Sequence, residues 1–322
     1  MRLSMMVPLL VVTLPLMAAE QRSTPDATIN QRLVAAAQAG NLDAISQALR
    51  EGASVNAAAA TSNGSTPLLP LVMAAIWDRP AAVRALLEAG ANPTPALSRA
   101  GCKPSIVTEL LNHGADPNGN EYPLVSVIMG IEAPAPLLSA CVETARLMVI
   151  HGAAVNRIGD GPSPFSQALA MNSRPFIDLF LANGADINAR GSAGMTPLQV
   201  VLEKYAFTYK CVPKTGQECG GSGPYLPLIS YLLEHGANPN TRDPDRWDDE
   251  EDASRFPYLS GYTALGLAAR YNWYAVAQLL LKHGADPAIP RQDGTLPTEI
   301  AKANGHQRTA ELIQSFSKVP AH

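Results

Sequence analysis

His113, His151, His235 and His283 each stand immediately before the Gly of a Gly-Ala pair. Four imidazoles recurring in one register suggest a ladder of metal sites. Packed helices, however, lie about 8–10 Å apart, whereas a zinc ion needs its nitrogens at about 2 Å. No single ion gathers these rings, and the expectation is that they satisfy carbonyls at helix ends. The densest acidic run is Asp243, Asp245, Asp248, Asp249, Glu250, Glu251 and Asp252. A calcium loop needs alternating oxygen ligands and a Gly at its sharp turn, and this run has neither. It reads as a solvated acidic finger carrying Trp247, with Phe256 and Tyr258 just beyond. Aromatic side chains among charges on a protruding loop suit a protein contact, so Trp247, Asp248, Asp249 and Tyr258 are candidate partner-binding residues. No Ser-His-Asp order, nucleophile elbow, phosphate loop or metal-binding helix motif occurs. No catalytic residue, metal or cofactor is expected.

The elements that position these groups are repeated. A Leu- or Val-rich helix ending runs into a Gly-Ala pair at Gly52, Gly90, Gly114, Gly152, Gly184, Gly236 and Gly284. In five copies the residue two after that Gly is Asn or Asp, as in Leu233-Glu234-His235-Gly236-Ala237-Asn238. Counting 21 residues back from Gly284 reaches Thr263, which opens Thr263-Ala264-Leu265-Gly266-Leu267-Ala268-Ala269. A turn at Asn272 follows, and then Val276, Ala277, Leu280 and Leu281 fall on one helix face. The same count lands on Leu69-Pro70-Leu71, on Ser163-Pro164-Phe165, and on Gln31 ahead of Leu33, Ala36 and Ala37. Each copy thus encodes a short helix, a turn, a second helix and a glycine stop. Pro suits a first helical turn, and Gly suits the left-handed residue that closes a helix. A unit this small cannot bury its own apolar face, so the copies must stack into one elongated core.

Thr196-Pro197-Leu198 and Leu280-Leu281-Lys282-His283-Gly284-Ala285-Asp286 carry a specific resemblance. The units look like ankyrin repeats, whose pattern opens on Thr-Pro-Leu and closes on Leu-Leu-x-x-Gly-Ala-Asp. The likeness covers roughly residues 30 to 316 in about eight units, with Leu296-Pro297-Thr298 to Leu312-Ile313 as a C-terminal cap. It implies an all-α solenoid of helix-turn-helix units joined by hairpin loops. It also implies that the concave surface, hairpin tips plus exposed ends of the first helices, binds another protein. Carried over by position, the candidates are Ile76, Trp77, Arg270 and Tyr271, with Asn172 and Ser173 at the corresponding turn. Tip residues Thr61 to Ser65 and Arg190 to Ala193 join them.

Several copies depart from the pattern. The third has only Pro93 to Ala100 for its first helix. The fourth is lengthened over 130–139 and the sixth over 205–227, both in the turn between paired helices; residues 243–259 lengthen the hairpin before the seventh. Insertions of this kind map to loops, often on the recognising face. Four Cys are present. Cys211 and Cys219 bracket a Gly-containing loop in the sixth copy, and a disulfide there would restrain a loop with little core. Cys102 and Cys141 fall at the same helix-turn edge of adjacent units. A bridge needs Cα atoms within about 7 Å, which adjacent packed helices exceed. These two form a disulfide if the insertion of the fourth copy leans over, and remain buried thiols if it does not.

The chain begins with Arg2, an apolar run from Leu3 to Met17, and small residues at Ala18 and Ala19. That pattern reads as a cleaved signal peptide over 1–19, too short and too Pro-interrupted to span a membrane, followed by a linker over 20–29 and a repeat domain over 30–318. Abundant Ala and Arg in preference to Lys fit a bacterial genome rich in G and C. Net charge is −4, with no dense basic patch, which argues against nucleic acid. The expectation is a periplasmic or secreted monomer that is not an enzyme, acts as a scaffold for another protein and makes no membrane contact after cleavage. Rival roles are an inhibitor or immunity protein that neutralises a lytic enzyme, a secreted host-directed effector, and an enzyme with a site built in the insertion of the sixth copy.

Overall fold

The computed structural model describes residues 25–58, 68–119, 122–129, 135–156, 163–191, 194–209, 223–242 and 261–317. The expected signal peptide, the acidic finger, Cys211 and Cys219 lie outside these residues. Sixteen helices are described, in eight consecutive pairs: α1 Pro25–Ala39 and α2 Leu42–Arg50, α3 Pro70–Ile76 and α4 Pro80–Glu88, α5 Thr94–Leu97 and α6 Pro104–Asn112, α7 Pro123–Met129 and α8 Ala135–Ile150, α9 Pro164–Ala170 and α10 Arg174–Ala182, α11 Pro197–Tyr209 and α12 Tyr225–Glu234, α13 Ala264–Arg270 and α14 Tyr274–Lys282, α15 Pro297–Ala303 and α16 Gln307–Phe316. No described helix is long and apolar enough to cross a membrane.

The helix starts follow from local chemistry. Pro occupies the first turn of α3, α4, α6, α9 and α15, where its missing N–H is not needed. Ser163 and Thr263 cap α9 and α13 by accepting from the N–H groups of Ser166 and Gly266. The second helices end at the Gly of each Gly-Ala pair, with φ between 83° and 98°. At Gly236 the N–H bonds to the Leu233 carbonyl and the Ala237 N–H bonds to that of Leu232, the paired closure that uses up two end carbonyls. Where His precedes this Gly, its Nδ1 sits 2.8 Å from a carbonyl one turn back, as at His113, His151 and His235. These ring nitrogens serve helix ends.

First helices stack α1 on α3 on α5, then α7 through α9, α11 and α13 to α15; second helices stack alongside. One apolar cluster runs from Leu33 to Ile313. Fully buried Ala pairs, Ala74-Ala75 and Ala268-Ala269 among them, let the first helices approach closely. His306 and Thr309 of the last unit are buried against the seventh, bonding the Ala269 carbonyl and the Asn272 side chain.

A second ladder runs through the linkers. Asn56, Asn118, Asn156, Asn188 and Asn240, each four residues after the Gly of a Gly-Ala pair, donate to the Gly carbonyl of the next unit, at 2.8–3.1 Å. The same side chains accept from backbone N–H groups of that next unit, at residues 92, 154, 186, 238 and 286. The Asn or Asp found two residues after Gly acts locally instead. Asp116, Asp186 and Asn238 accept from the N–H groups of Asn118, Asn188 and Asn240. The earlier residue shapes the linker and the later one fastens it to its neighbour.

The structure departs from the sequence reading in two places and decides a pairing that the sequence left open. Helix α1 begins at Pro25, inside the expected linker, because Ile29 packs on the core. The inserted residues of the fourth and sixth copies are partly helical: α8 starts at Ala135 and α11 runs on to Tyr209, with Leu138 and Tyr205 packed on the core and Leu137 and Phe207 left exposed. Cys102 and Cys141 are bridged, with Cα atoms 4.3 Å apart. Cys141 lies within α8, the helix that this extension lengthens. The link joins the unit with a four-residue first helix to its better-built neighbour. By chain-entropy arithmetic a bridge across 39 residues is worth about 4 kcal/mol.

Replacing an internal bridging Asn removes one donor and one acceptor between units. Asn188→Ala is expected to cost about 1–2 kcal/mol in urea unfolding, while Asn188→Asp, which keeps the acceptor alone, falls between that variant and the parent.

Candidate partner-binding surface

The C-terminal ends of the first helices differ along the stack. In the second unit Ala74 and Ala75 are fully buried, while Ile76 and Trp77 directly after them are 41% and 49% exposed. Helix α1 beside them ends at Ala39 and leaves the indole uncovered. Met129, in the position of Ile76, is 58% exposed and accepts a contact from Gln167 Nε2. Further along, the same two positions hold Glu203 and Lys204, and then Arg270 and Tyr271. The surface therefore changes from apolar to charged along its length.

Tyr271 corrects the expectation of an exposed contact. It is 1% exposed, stacked on Trp273 at 5.2 Å, with Tyr205 edge-on to the same indole at 5.1 Å. Tyr205 belongs to the extension of α11, so the insertion that lengthens this helix roofs over the aromatic cluster. Trp77, which occupies the register of Tyr271, has no such roof. Arg270 remains partly exposed. Its Nη1 donates to the Tyr262 hydroxyl at 2.6 Å, and its guanidinium lies 5.4 Å from the Tyr262 ring and 5.6 Å from that of Tyr271. Arg291, in the linker to the last unit, sits 4.6 Å from the Tyr262 ring and pairs with Asp293 at 2.9 Å. The Thr295 N–H holds the Asp293 carboxyl below its usual range, with Arg291 adding to the effect. Burial pushes the Tyr271 phenol above its ordinary value of 10.

Among the described residues, the buried side-chain atoms without a hydrogen-bond partner are Arg270 Nε, Arg291 Nε and Tyr271 Oη. Each such group costs about 1–3 kcal/mol, and all three belong to this one cluster.

Other expected contact residues have structural roles. Ser173 is buried, Asn172 donates to the Pro224 carbonyl at 3.1 Å, and Arg190 bonds the carbonyls of Gly194 and Arg242. Trp247, Asp248, Asp249, Tyr258, Thr61 to Ser65, Ser192 and Ala193 lie outside the described residues. The sequence reading missed Met129, Tyr262 and Arg291. Tyr262 stands just before the Thr263 cap and Arg291 just after the last Gly-Ala linker, so register counting could have found both.

The sequence profile of the Ankyrin repeat family matches residues 260–291. The chain is similar to human SH3 and multiple ankyrin repeat domains protein 2, 23% identical over 66% of this chain and 11% of that protein. It is also similar to mouse Ankyrin repeat and SOCS box protein 16, 28% identical over 43% of this chain and 25% of that protein. Human BCL-6 corepressor-like protein 1 is 38% identical over 61 residues, 19% of this chain and 3% of that protein. The chain spans a quarter or less of the length of these relatives. The fold is an ankyrin-repeat helical solenoid.

Because the folded chain holds Tyr271 protonated to higher pH than the unfolded chain does, its contribution is complete below about pH 10. It is lost as pH rises from there through the raised folded value. Tyr271→Phe is expected to lessen the fall in stability above about pH 10 and to leave stability at neutral pH unchanged or raised, since the buried hydroxyl it removes is unpartnered; urea midpoints against pH read both.

Proposed function

We propose that this chain is a non-enzymatic interaction protein that binds a partner protein across the ends of its first helices and their linkers. The observation that carries this reading is the Ile76–Trp77 pair. Two large apolar side chains stand in water at 41% and 49% exposure although the core beneath them is complete without them. A Trp in that setting is a typical centre of a binding hot spot. Met129, at 58% exposure, extends the apolar part. Ankyrin repeats mediate protein contacts, which supports the same reading.

Export to the periplasm, or secretion, is part of the proposal. The residues of the signal-like start and the Cys102–Cys141 bridge both fit an oxidising compartment.

Trp77→Ala combined with Ile76→Ser is expected to weaken capture of the physiological partner about 30-fold, a loss of about 2 kcal/mol. Exposed positions shift folding stability by no more than about 0.5 kcal/mol, so thermal unfolding should not change. Equal partner binding by the variant and the parent chain would remove this pair from the interface.

Cell fractionation followed by intact-mass spectrometry tests export. The expected species lacks roughly the first 19 residues, as the signal pattern implies, and has Cys102 and Cys141 unreactive toward alkylating agent until reduced. A full-length cytosolic chain with both thiols alkylated would refute the compartment.

A further inference from the structure

We propose that Arg270 and Arg291, gathered about Tyr262, form a carboxylate-binding site that takes an acidic segment of a protein partner. The proposal rests on the partner-binding reading above and supplies its chemistry at the far end of the surface.

The two guanidinium groups lie 5.4 and 4.6 Å from the same Tyr262 ring. Contact through the ring leaves guanidinium N–H groups free to bond in their own plane. The Tyr262 hydroxyl takes one donor of Arg270 at 2.6 Å and fixes that group in place. By contrast, Arg32, Arg84, Arg146 and Arg174 each face a carboxylate. Among the described residues no ion pair is formed by Arg270, and Arg291 has Asp293 on one Nη only.

The unpartnered buried atoms point the same way. Arg270 Nε, Arg291 Nε and the Oη of fully buried Tyr271 have no acceptor or donor, and all three sit in this cluster. Both arginines keep part of their surface in water. A carboxylate that settles beside them meets exposed Nη donors first, and a small rotation of either side chain then brings its Nε–H into a paired fork, the geometry in which Arg binds carboxylates best. The unmet donors specify an acceptor-only group; Asp293 already offsets one of the two charges, but unmet donors on two separate arginines call for more than one carboxylate, hence a run of Asp or Glu.

The test uses the full chain with labelled arginine and follows the Nε–H resonances while the blocked tetrapeptide acetyl-Asp-Glu-Asp-Glu-amide is added. The expected result is saturable movement of the Arg270 and Arg291 signals, none with the Asn/Gln counterpart, and affinity at least ten-fold weaker in Arg270→Gln and in Arg291→Gln. Arg270→Lys, which keeps the charge and the fold but lacks Nε–H, should bind with intermediate affinity, and circular dichroism confirms that each variant is folded. Several results would overturn the proposal: equal shifts with the neutral peptide, undiminished binding in the double Gln variant, or tighter binding of a single-stranded oligonucleotide than of the peptide. So would movement of the two signals in Asp248→Asn/Asp249→Asn without any peptide, which would make the chain's own acidic run the occupant. Partner capture that depends on Trp77 yet is indifferent to Arg270 and Arg291 would sink this inference alone and leave the interaction role standing.

Discussion

Every second helix in this protein ends with carbonyls that no further turn of helix can satisfy. In five units the Gly carbonyl beyond them is met from the preceding unit. Asn56, Asn118, Asn156, Asn188 and Asn240 each donate to the Gly carbonyl of the next copy and accept an N–H from the same stretch of backbone. The spacing between units is thus set by a polar bond of fixed length as well as by apolar packing. Apolar contact alone is non-directional and would permit units to slide. With the linkers pinned, the ends of the first helices recur in fixed register, and a row of side chains becomes a surface. Thr94, which replaces Asn in the truncated third copy, can accept from the Asp116 N–H but has no amide to reach the next Gly carbonyl. The Cys102–Cys141 bridge joins the chain at that same weak unit.

Much of this was legible in residue spacing. Gly fixes the helix ends because the backbone there has positive φ, which side-chain-bearing residues avoid, so the repeat survives in the letters even where the helices vary. The inter-helix turn is also readable: Asp78, Asn172 and Asn272 sit at φ 50–55° in equivalent places, and Asn and Asp tolerate that conformation better than other residues. The Asn that bridges units escaped notice although it is equally regular, because its partner lies a whole unit away and its value is invisible within one copy.

The less legible features are those set by a neighbour. Trp77 and Tyr271 occupy one register position, yet the first is half exposed and the second fully buried. The difference lies in the preceding unit. Helix α11 continues to Tyr209 and lays Tyr205 against Trp273, whereas α1 stops at Ala39 beside Trp77. No count within the copy of interest contains that information. The same holds for the Cys102–Cys141 bridge, whose two Cα atoms come within 4.3 Å through the placement of two units that neither copy states alone.

Burying Tyr271 has an electrostatic consequence for the exposed residue beside it. With the phenol sequestered, the last residue of α13 that reaches water at this position is Arg270, and the nearest oxygen it can use is a neutral hydroxyl. A guanidinium bonded only to a neutral oxygen has no counter-charge beside it, so its positive charge stays available to a carboxylate. The solenoid therefore offers two chemistries along one row of helix ends. An apolar stretch at Ile76, Trp77 and Met129 releases water when covered and rewards shape; a cationic end at Arg270 and Arg291 rewards charge and would respond to salt. A partner matched to both must span several units, and its register along the stack is fixed by which end of it is acidic.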